Sequence, residues 1–218
     1  MPPTPQGSPI SPLLSNTYMR RFILGWKVLG YARRFGAEFV NFADDFCVLG
    51  KAPAAEMLAA VNRLMEGLKL PINAEKTRCL RCPEESLEFL GYRIGWNYRP
   101  WSESRYFGTR PSGSSVQSIC RRISEQTDRS LGWLEAEEVV GRLNRMISGW
   151  ANYFNLGQVT PAYRAVDQHA VRRLRQWFCQ KHKVQSGKYA RFPDKWLRER
   201  HGLTRLAATT RYLPRAKA

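Results

Sequence analysis

Residues 38–49 read Glu38-Phe39-Val40-Asn41-Phe42-Ala43-Asp44-Asp45-Phe46-Cys47-Val48-Leu49. The first half alternates and is rich in aromatic residues; Phe46 to Leu49 is a short apolar run. Between them sits a small acidic interruption. Two strands joined by a tight turn produce this pattern, so the segment predicts a β-hairpin with Asp44 and Asp45 at its bend. Turns of this kind ordinarily carry Asn-Gly or Asp-Gly. Two adjacent carboxylates repel each other instead, and a cation would offset that repulsion. Mg²⁺ fits the donor type, a hard ion that takes oxygens from one or two carboxylates plus phosphates. Taken alone, the doublet is a weak signal, since many surface turns carry one, and a solvated acidic turn is then the better reading.

Working outward from the hairpin, the upstream stretch Leu13 to Leu29 places Leu14, Tyr18, Phe22 and Trp26 at helical intervals. Ser11 as cap and Pro12 in the first turn are expected to open that helix. Pro2 to Pro12 is rich in Pro, Gly and Ser. Downstream, Pro53 to Leu68 predicts a helix with Leu58, Val61, Leu64, Met65 and Leu68 on one face. Leu80 and the run Leu87 to Ile94 read as further strands. Residues 95–115 carry Gly95, Pro100, Gly108, Pro111 and Gly113, and residues 99–115 are read as a linker.

The remainder reads as helical: Val116 to Asp128, Glu135 to Phe154, and about Pro161 to Lys181. The middle helix has Glu135, Glu137 and Glu138 at its positive end. Its stripe runs Val139, Val140, Leu143, Met146, Ile147, Trp150, Ala151 and Phe154, and Gly157 follows as a stop. Trp196, Leu197, Leu203, Leu206 and Leu213 could dock short helices from the last segment. The expected fold class is α+β: an antiparallel sheet with packed helices, followed by a helical region.

Charge narrows the partner. The formal net charge is +17, and residues 161–218 hold 15 Lys and Arg against 3 Asp and Glu. Arginine dominates there, and its planar fork suits phosphate. Such a balance favours a polyanionic partner. No stretch approaches the ~18 consecutive apolar residues of a membrane span, and the first residues lack the charged start and apolar core of a secretory signal. The five cysteines (Cys47, Cys79, Cys82, Cys120 and Cys179) are odd in number, so reduced thiols in a cytosol or organelle matrix are expected. Cys79 and Cys82 have the spacing of half a zinc site, but no second pair matches it.

Four segments follow one another in a specific order: Thr4-Pro5-Gln6-Gly7-Ser8-Pro9-Ile10-Ser11-Pro12-Leu13-Leu14-Ser15-Asn16, then Phe42-Ala43-Asp44-Asp45, then Leu68-Lys69-Leu70-Pro71-Ile72-Asn73-Ala74-Glu75-Lys76-Thr77, then Leu87-Glu88-Phe89-Leu90-Gly91-Tyr92. This set resembles consecutive motifs of the group II intron reverse transcriptase palm. Gly141-Arg142-Leu143-Asn144 through Gly149-Trp150-Ala151-Asn152-Tyr153-Phe154 resembles the family's thumb, or maturase domain X. The resemblance spans roughly residues 3–180. It divides the chain into a partial palm (1–98), the linker (99–115), a helical thumb or domain X (116–185) and a basic C-terminal tail (186–218).

The resemblance implies an RNA-directed DNA polymerase that also binds intron RNA to aid splicing. By it, Asp44 and Asp45 are catalytic and metal-binding carboxylates of a two-Mg²⁺ site. Such ions activate a 3′-hydroxyl and stabilise leaving pyrophosphate. Gln6, Gly7, Phe42 and Lys76 would lie near the nucleotide or the template–primer, and Phe89, Leu90 and Gly91 would form the primer grip. Arg142, Arg145, Arg172, Arg173, Arg175, Lys181 and Lys183 would contact RNA. Tyr153, Tyr163, Trp177 and Trp196 could stack on bases, although core packing suits them better.

Two departures qualify the match. Phe42 stands where the family more often has Tyr. The family also places fingers and an earlier palm strand, with another catalytic Asp, before the Gln-Gly motif. Residues 1–12 supply neither, so the chain reads as N-terminally truncated and the metal site as incomplete. On that reading the chain alone is expected to be inactive, with an N-terminal fragment or a second copy as its completing partner. Intron RNA and an RNA/DNA template–primer are the expected nucleic-acid partners. No Cys/His-rich nuclease module is expected after domain X. The alternative reading is a non-catalytic, maturase-like RNA-binding splicing factor or a degenerate fragment.

Overall fold

The computed structural model describes residues 10–43, 45–98 and 104–208. The chain forms two compact units, residues 1–85 and 86–218. Mixed α and β elements with antiparallel sheets precede a helical region, as the sequence predicts.

In the first unit, helices α1 (Ser11–Val28), α2 (Tyr31–Phe35) and α3 (Ala54–Gly67) share a core with one face of a two-stranded hairpin, β1 (Glu38–Phe42) and β2 (Asp45–Leu49). The core is Met19, Phe22 and Trp26 from α1, Tyr31 and Phe35 from α2, and Ala60, Val61 and Met65 from α3. Antiparallel pairing sets Phe39 opposite Val48 and Asn41 opposite Phe46. The ring of Phe39 lies 5.0 Å from Phe22, and that of Phe46 lies 5.7 Å from it. That side of the hairpin faces α1. The other side carries Val40, Phe42 and Leu49, all exposed, because strand side chains alternate.

Two expectations need correction in this unit. Ser11 is the first helical residue rather than the cap; Ile10 occupies the cap position with no side-chain bond, while Pro12 lies in the first turn. Leu80 belongs to no strand: it stands between Arg78-Cys79 and Arg81-Cys82, without the alternating apolar partners that a strand needs to bury a face.

The second unit begins with a three-stranded antiparallel meander, β3 (Leu87–Phe89), β4 (Tyr92–Tyr98) and β5 (Arg105–Pro111). Strand β5 and the start of the next helix occupy much of 99–115, the stretch read as a linker. Its Gly and Pro residues mask Tyr106, Phe107 and Thr109, which pair with Asn97, Trp96 and Ile94. Helices α4 (Gly113–Gln126), α5 (Ala136–Tyr153) and α6 (Thr160–Lys181) follow. The Ser112 hydroxyl caps α4 by accepting from the Ser115 amide at 3.2 Å. Ile119 and Ile123 of α4, Val139, Leu143 and Ile147 of α5, and Val166, Leu174 and Trp177 of α6 are almost wholly buried. Each such aliphatic side chain contributes about 2 kcal/mol by leaving water.

The segment after α6 folds back onto this core. It forms short helices α7 (Lys188–Arg191) and α8 (Asp194–Glu199), and Phe192, Leu197, Leu203 and Leu206 along it enter the core. Two polar anchors hold the return. Asn144 on α5 donates to the Gly202 carbonyl at 2.8 Å and accepts from the Thr204 amide at 2.9 Å. Asp167 on α6, itself buried, accepts from the amides of Leu206 and Ala207 at 2.9 and 3.0 Å.

Candidate functional site

At the acidic bend, Phe42 pairs with Asp45 across the hairpin. Ala43 has φ +53°, a left-handed backbone that costs a non-glycine residue roughly 1–2 kcal/mol. The Asn41 amide donates to the Ala43 carbonyl at 3.3 Å and helps hold the bend. Asp45 lies at the strand end, exposed, on the hairpin side turned away from α1, beside an exposed Phe42. Asp44, Gln6 and Gly7 lie outside the described residues. Among the described residues, no three His, Cys, Asp or Glu side chains converge to hold a metal ion.

Lys76 is displayed by a local turn. The Asn73 side chain accepts from the amides of Glu75 and Lys76 at 3.1 and 3.2 Å, and the Asn73 backbone carbonyl accepts from the Thr77 hydroxyl at 2.9 Å. The asparagine side chain substitutes for backbone in such a turn, which leaves Lys76 exposed.

Phe89-Leu90-Gly91 sits in the second unit. Leu90 (φ +51°) and Gly91 (φ +75°) form the two-residue turn joining β3 to β4. Positive φ at both central positions matches the twist of a hairpin. Helical residues clamp this turn. The Tyr153 hydroxyl donates to the Leu90 carbonyl at 3.1 Å, and the Tyr92 hydroxyl donates to the Tyr153 carbonyl at 2.5 Å. The Ser112 amide and the Ser115 hydroxyl both donate to the Gly91 carbonyl at 2.8 Å. Burial pushes the Tyr92 phenol above its ordinary value, so it remains a donor at neutral pH.

The cationic residues separate into two groups. Arg145, Arg172 and Lys183 are exposed, and Arg142 is half-buried with an ion pair to Glu138 at 2.6 Å. The charged groups of three others are engaged within the fold. Arg175 is buried; it donates to the Phe192 carbonyl at 2.8 Å, pairs with Asp194 and lies 4.3 Å from the Tyr189 ring centroid. Arg173 reaches Ser124 and Thr127 at the end of α4. Lys181 donates to the Leu134 carbonyl at 2.5 Å. The sequence shows only that these side chains are basic; the hydrogen-bond partners just named are 17 to 49 positions away.

Among the four aromatics weighed for stacking, Tyr163 and Trp177 are buried, Trp196 is half-buried, and Tyr153 is exposed. Tyr163 donates to the Ala151 and Phe154 carbonyls. Sequence reasoning missed the Ser112–Ser115 clamp on Gly91; its one available signal was Ser112 as a helix cap. His169 links α4 to α6: its Nε2 lies 2.9 Å from the Ser124 hydroxyl and its Nδ1 3.1 Å from Arg172. Burial first, and the Arg172 charge second, hold this imidazole below its ordinary pKa. Its Nδ1 therefore accepts from the guanidinium.

No curated protein matches the chain. Residues 3–94 match the reverse transcriptase (RNA-dependent DNA polymerase) family, and residues 116–202 match the group II intron, maturase-specific domain. The first match contains the acidic hairpin, Lys76 and the Leu90-Gly91 turn. The second contains most of α4 and all of α5 to α8. A reverse-transcriptase domain implies metal-dependent catalysis as a class, and a maturase domain implies RNA partners. Among the described residues, no helix is long and apolar enough to cross a membrane. The chain thus carries a reverse-transcriptase domain followed by a group II intron maturase-specific domain, in the order that the sequence motifs indicate.

Proposed function

We propose that this chain is a group II intron-encoded reverse transcriptase/maturase whose helical unit grips intron RNA. Asp44 and Asp45 are its metal-binding carboxylates in a completed polymerase site. On this reading the palm runs over residues 1–98, with 99–115 connecting it to domain X (116–185) and the basic segment 186–218. The observation that carries the proposal is the clamp on Leu90-Gly91. The turn proposed to aim a primer end is hydrogen-bonded into the maturase-specific helices, so RNA held by those helices and a primer end held by the turn share one rigid support. Gln6, Gly7, Phe42 and Lys76 belong to the nucleotide and template–primer side of this assignment, and Phe89 to the grip.

The exposed Arg145, Arg172 and Lys183, with Arg142, are the RNA contacts we assign. A two-ion Mg²⁺ site takes more oxygen ligands than one adjacent carboxylate pair provides. We therefore infer that a further carboxylate joins Asp44 and Asp45 when the site is complete. Mg²⁺ would then polarise the reacting oxygens.

Binding of a structured intron RNA, measured by anisotropy across salt, tests the first half. Four phosphate contacts would cut affinity roughly 10²-fold between 50 and 200 mM salt. Arg145→Ala and Arg172→Ala should each lower the slope by about one. Salt-insensitive binding would overturn the assignment. Primer extension tests the second half: robust incorporation by the chain alone, abolished by Asp44→Asn, would show that its own residues close the site.

A further inference from the structure

Strands β4 and β5 invert the usual polarity of a sheet. A sheet with one solvated face ordinarily turns apolar side chains inward and polar ones outward. Trp96, Tyr98 and Phe107 instead point outward, 44%, 64% and 45% exposed, while Asn97 between them is 2% exposed. The register pairs Trp96 with Phe107 and Tyr98 with Arg105, so these four side chains share one face. The Trp96 and Phe107 rings meet edge-on with centroids 5.9 Å apart, and the Arg105 guanidinium stands 5.9 Å from the Trp96 centroid.

The platform is held from behind. The Asn97 amide donates to the carbonyls of Gly95 and Gly108, at 3.1 and 3.0 Å, tying the two strands together. The Gln158 amide donates to the Tyr98 carbonyl at 3.0 Å, anchoring the strand end. Nearer the Leu90-Gly91 turn, Tyr92 on the same face packs 5.1 Å from Phe154. The helical unit thus covers one end of the aromatic face and leaves the other open. Residues 95–115 fall in neither matched segment.

Charge indicates the occupant. Among the described residues of this face, the charged one is Arg105 and none is acidic; Glu88, Arg93 and Arg110 align on the opposite side. Flat exposed rings beside a guanidinium suit nucleobases followed by phosphate, since every base has a π-face and arginine adds a cation–π contact. We propose that Trp96, Tyr98 and Phe107, with Arg105, form a stacking platform for single-stranded RNA. The proposal rests on the RNA-binding reading above and adds to it a site distinct from the cationic helix faces.

The test compares two probes on the full chain: a short fluorescent oligo(U) and an RNA duplex. Trp96→Ala and Phe107→Ala should each weaken oligo(U) binding roughly tenfold. Trp96→Phe should retain most of it, and duplex affinity and salt slope should stay unchanged. Unchanged oligo(U) affinity in the Trp96→Ala, Phe107→Ala double variant would overturn the platform. If the wild type then self-associates and the double variant does not, the face is a protein interface instead. A wild type that binds neither probe refutes the RNA-binding reading itself, and the platform with it. Ultraviolet crosslinking of the wild type to oligo(U) gives an answer independent of variant folding. Adducts within 92–110 support the platform, and adducts confined to 116–208 overturn it.

Discussion

Gly91→Ala probes the join between the β3–β4 turn and the maturase-specific helices. Gly91 has φ +75°, and an added Cβ would lie 2.7 Å from the Ser115 hydroxyl and 2.9 Å from Cζ of Phe154. The backbone conformation alone costs alanine roughly 1–2 kcal/mol. The steric part adds about 1–3 kcal/mol, because Phe154 cannot easily retreat: its ring is flanked by Tyr153, Trp150 and Tyr92 at 4.7, 5.0 and 5.1 Å. Gly187→Ala supplies the comparison. Gly187 has a similar φ of +66° with nothing within 4 Å of an added Cβ, so it should lose only the backbone part. Thermal unfolding followed by near-ultraviolet circular dichroism should separate the two variants by roughly 6–10 °C, the shift expected for about 2 kcal/mol. Hydrogen exchange at the Ser112 amide, which donates to the Gly91 carbonyl, should accelerate in the first variant only. Equal destabilisation by both substitutions would refute the packing of this turn against α5.

Two further outcomes concern the helical unit. Arg175→Ala should destabilise it by about 2–4 kcal/mol in urea unfolding, because it strips the Phe192 carbonyl of its donor in a buried setting; a loss under about 1 kcal/mol would contradict the structural role. Asp194→Asn should cost less, since that carboxylate is 66% exposed. Acid should weaken the same unit. His169 and His201 both have pKa values held below the ordinary 6.5, chiefly by burial. The unfolded chain therefore takes up protons first as pH falls. Stability should be full above pH 6.5 and decline as pH drops from there through the folded values, a decline that His169→Gln should make shallower. A flat urea midpoint between about pH 7.5 and 5.5 would refute this.

Local chemistry made much of the architecture legible. The acidic hairpin, α1, α3 and the three long helices follow from alternation and helical stripes, which act over a few residues. Leu90-Gly91 was readable as part of a strand segment but not as a clamped turn, because its partners Tyr153, Ser112 and Ser115 are distant in sequence. Strand β5 escaped notice for a different reason: glycine and proline around it are turn formers, and only pairing with β4 makes an extended strand of Arg105–Pro111.

The amino-acid sequence by itself pointed to both domains, through ordered motifs, and to a polyanionic partner, through its charge. Both are properties of residue identity and order, and need no coordinates. Tertiary structure decided which basic groups face outward and which are locked inside. It also decided that the aromatic residues of β4 and β5 stand on the solvent side, and that the β3–β4 turn is bolted to the helices. Burial and hydrogen-bond partnership depend on what folding brings alongside each side chain, and composition cannot encode that neighbourhood.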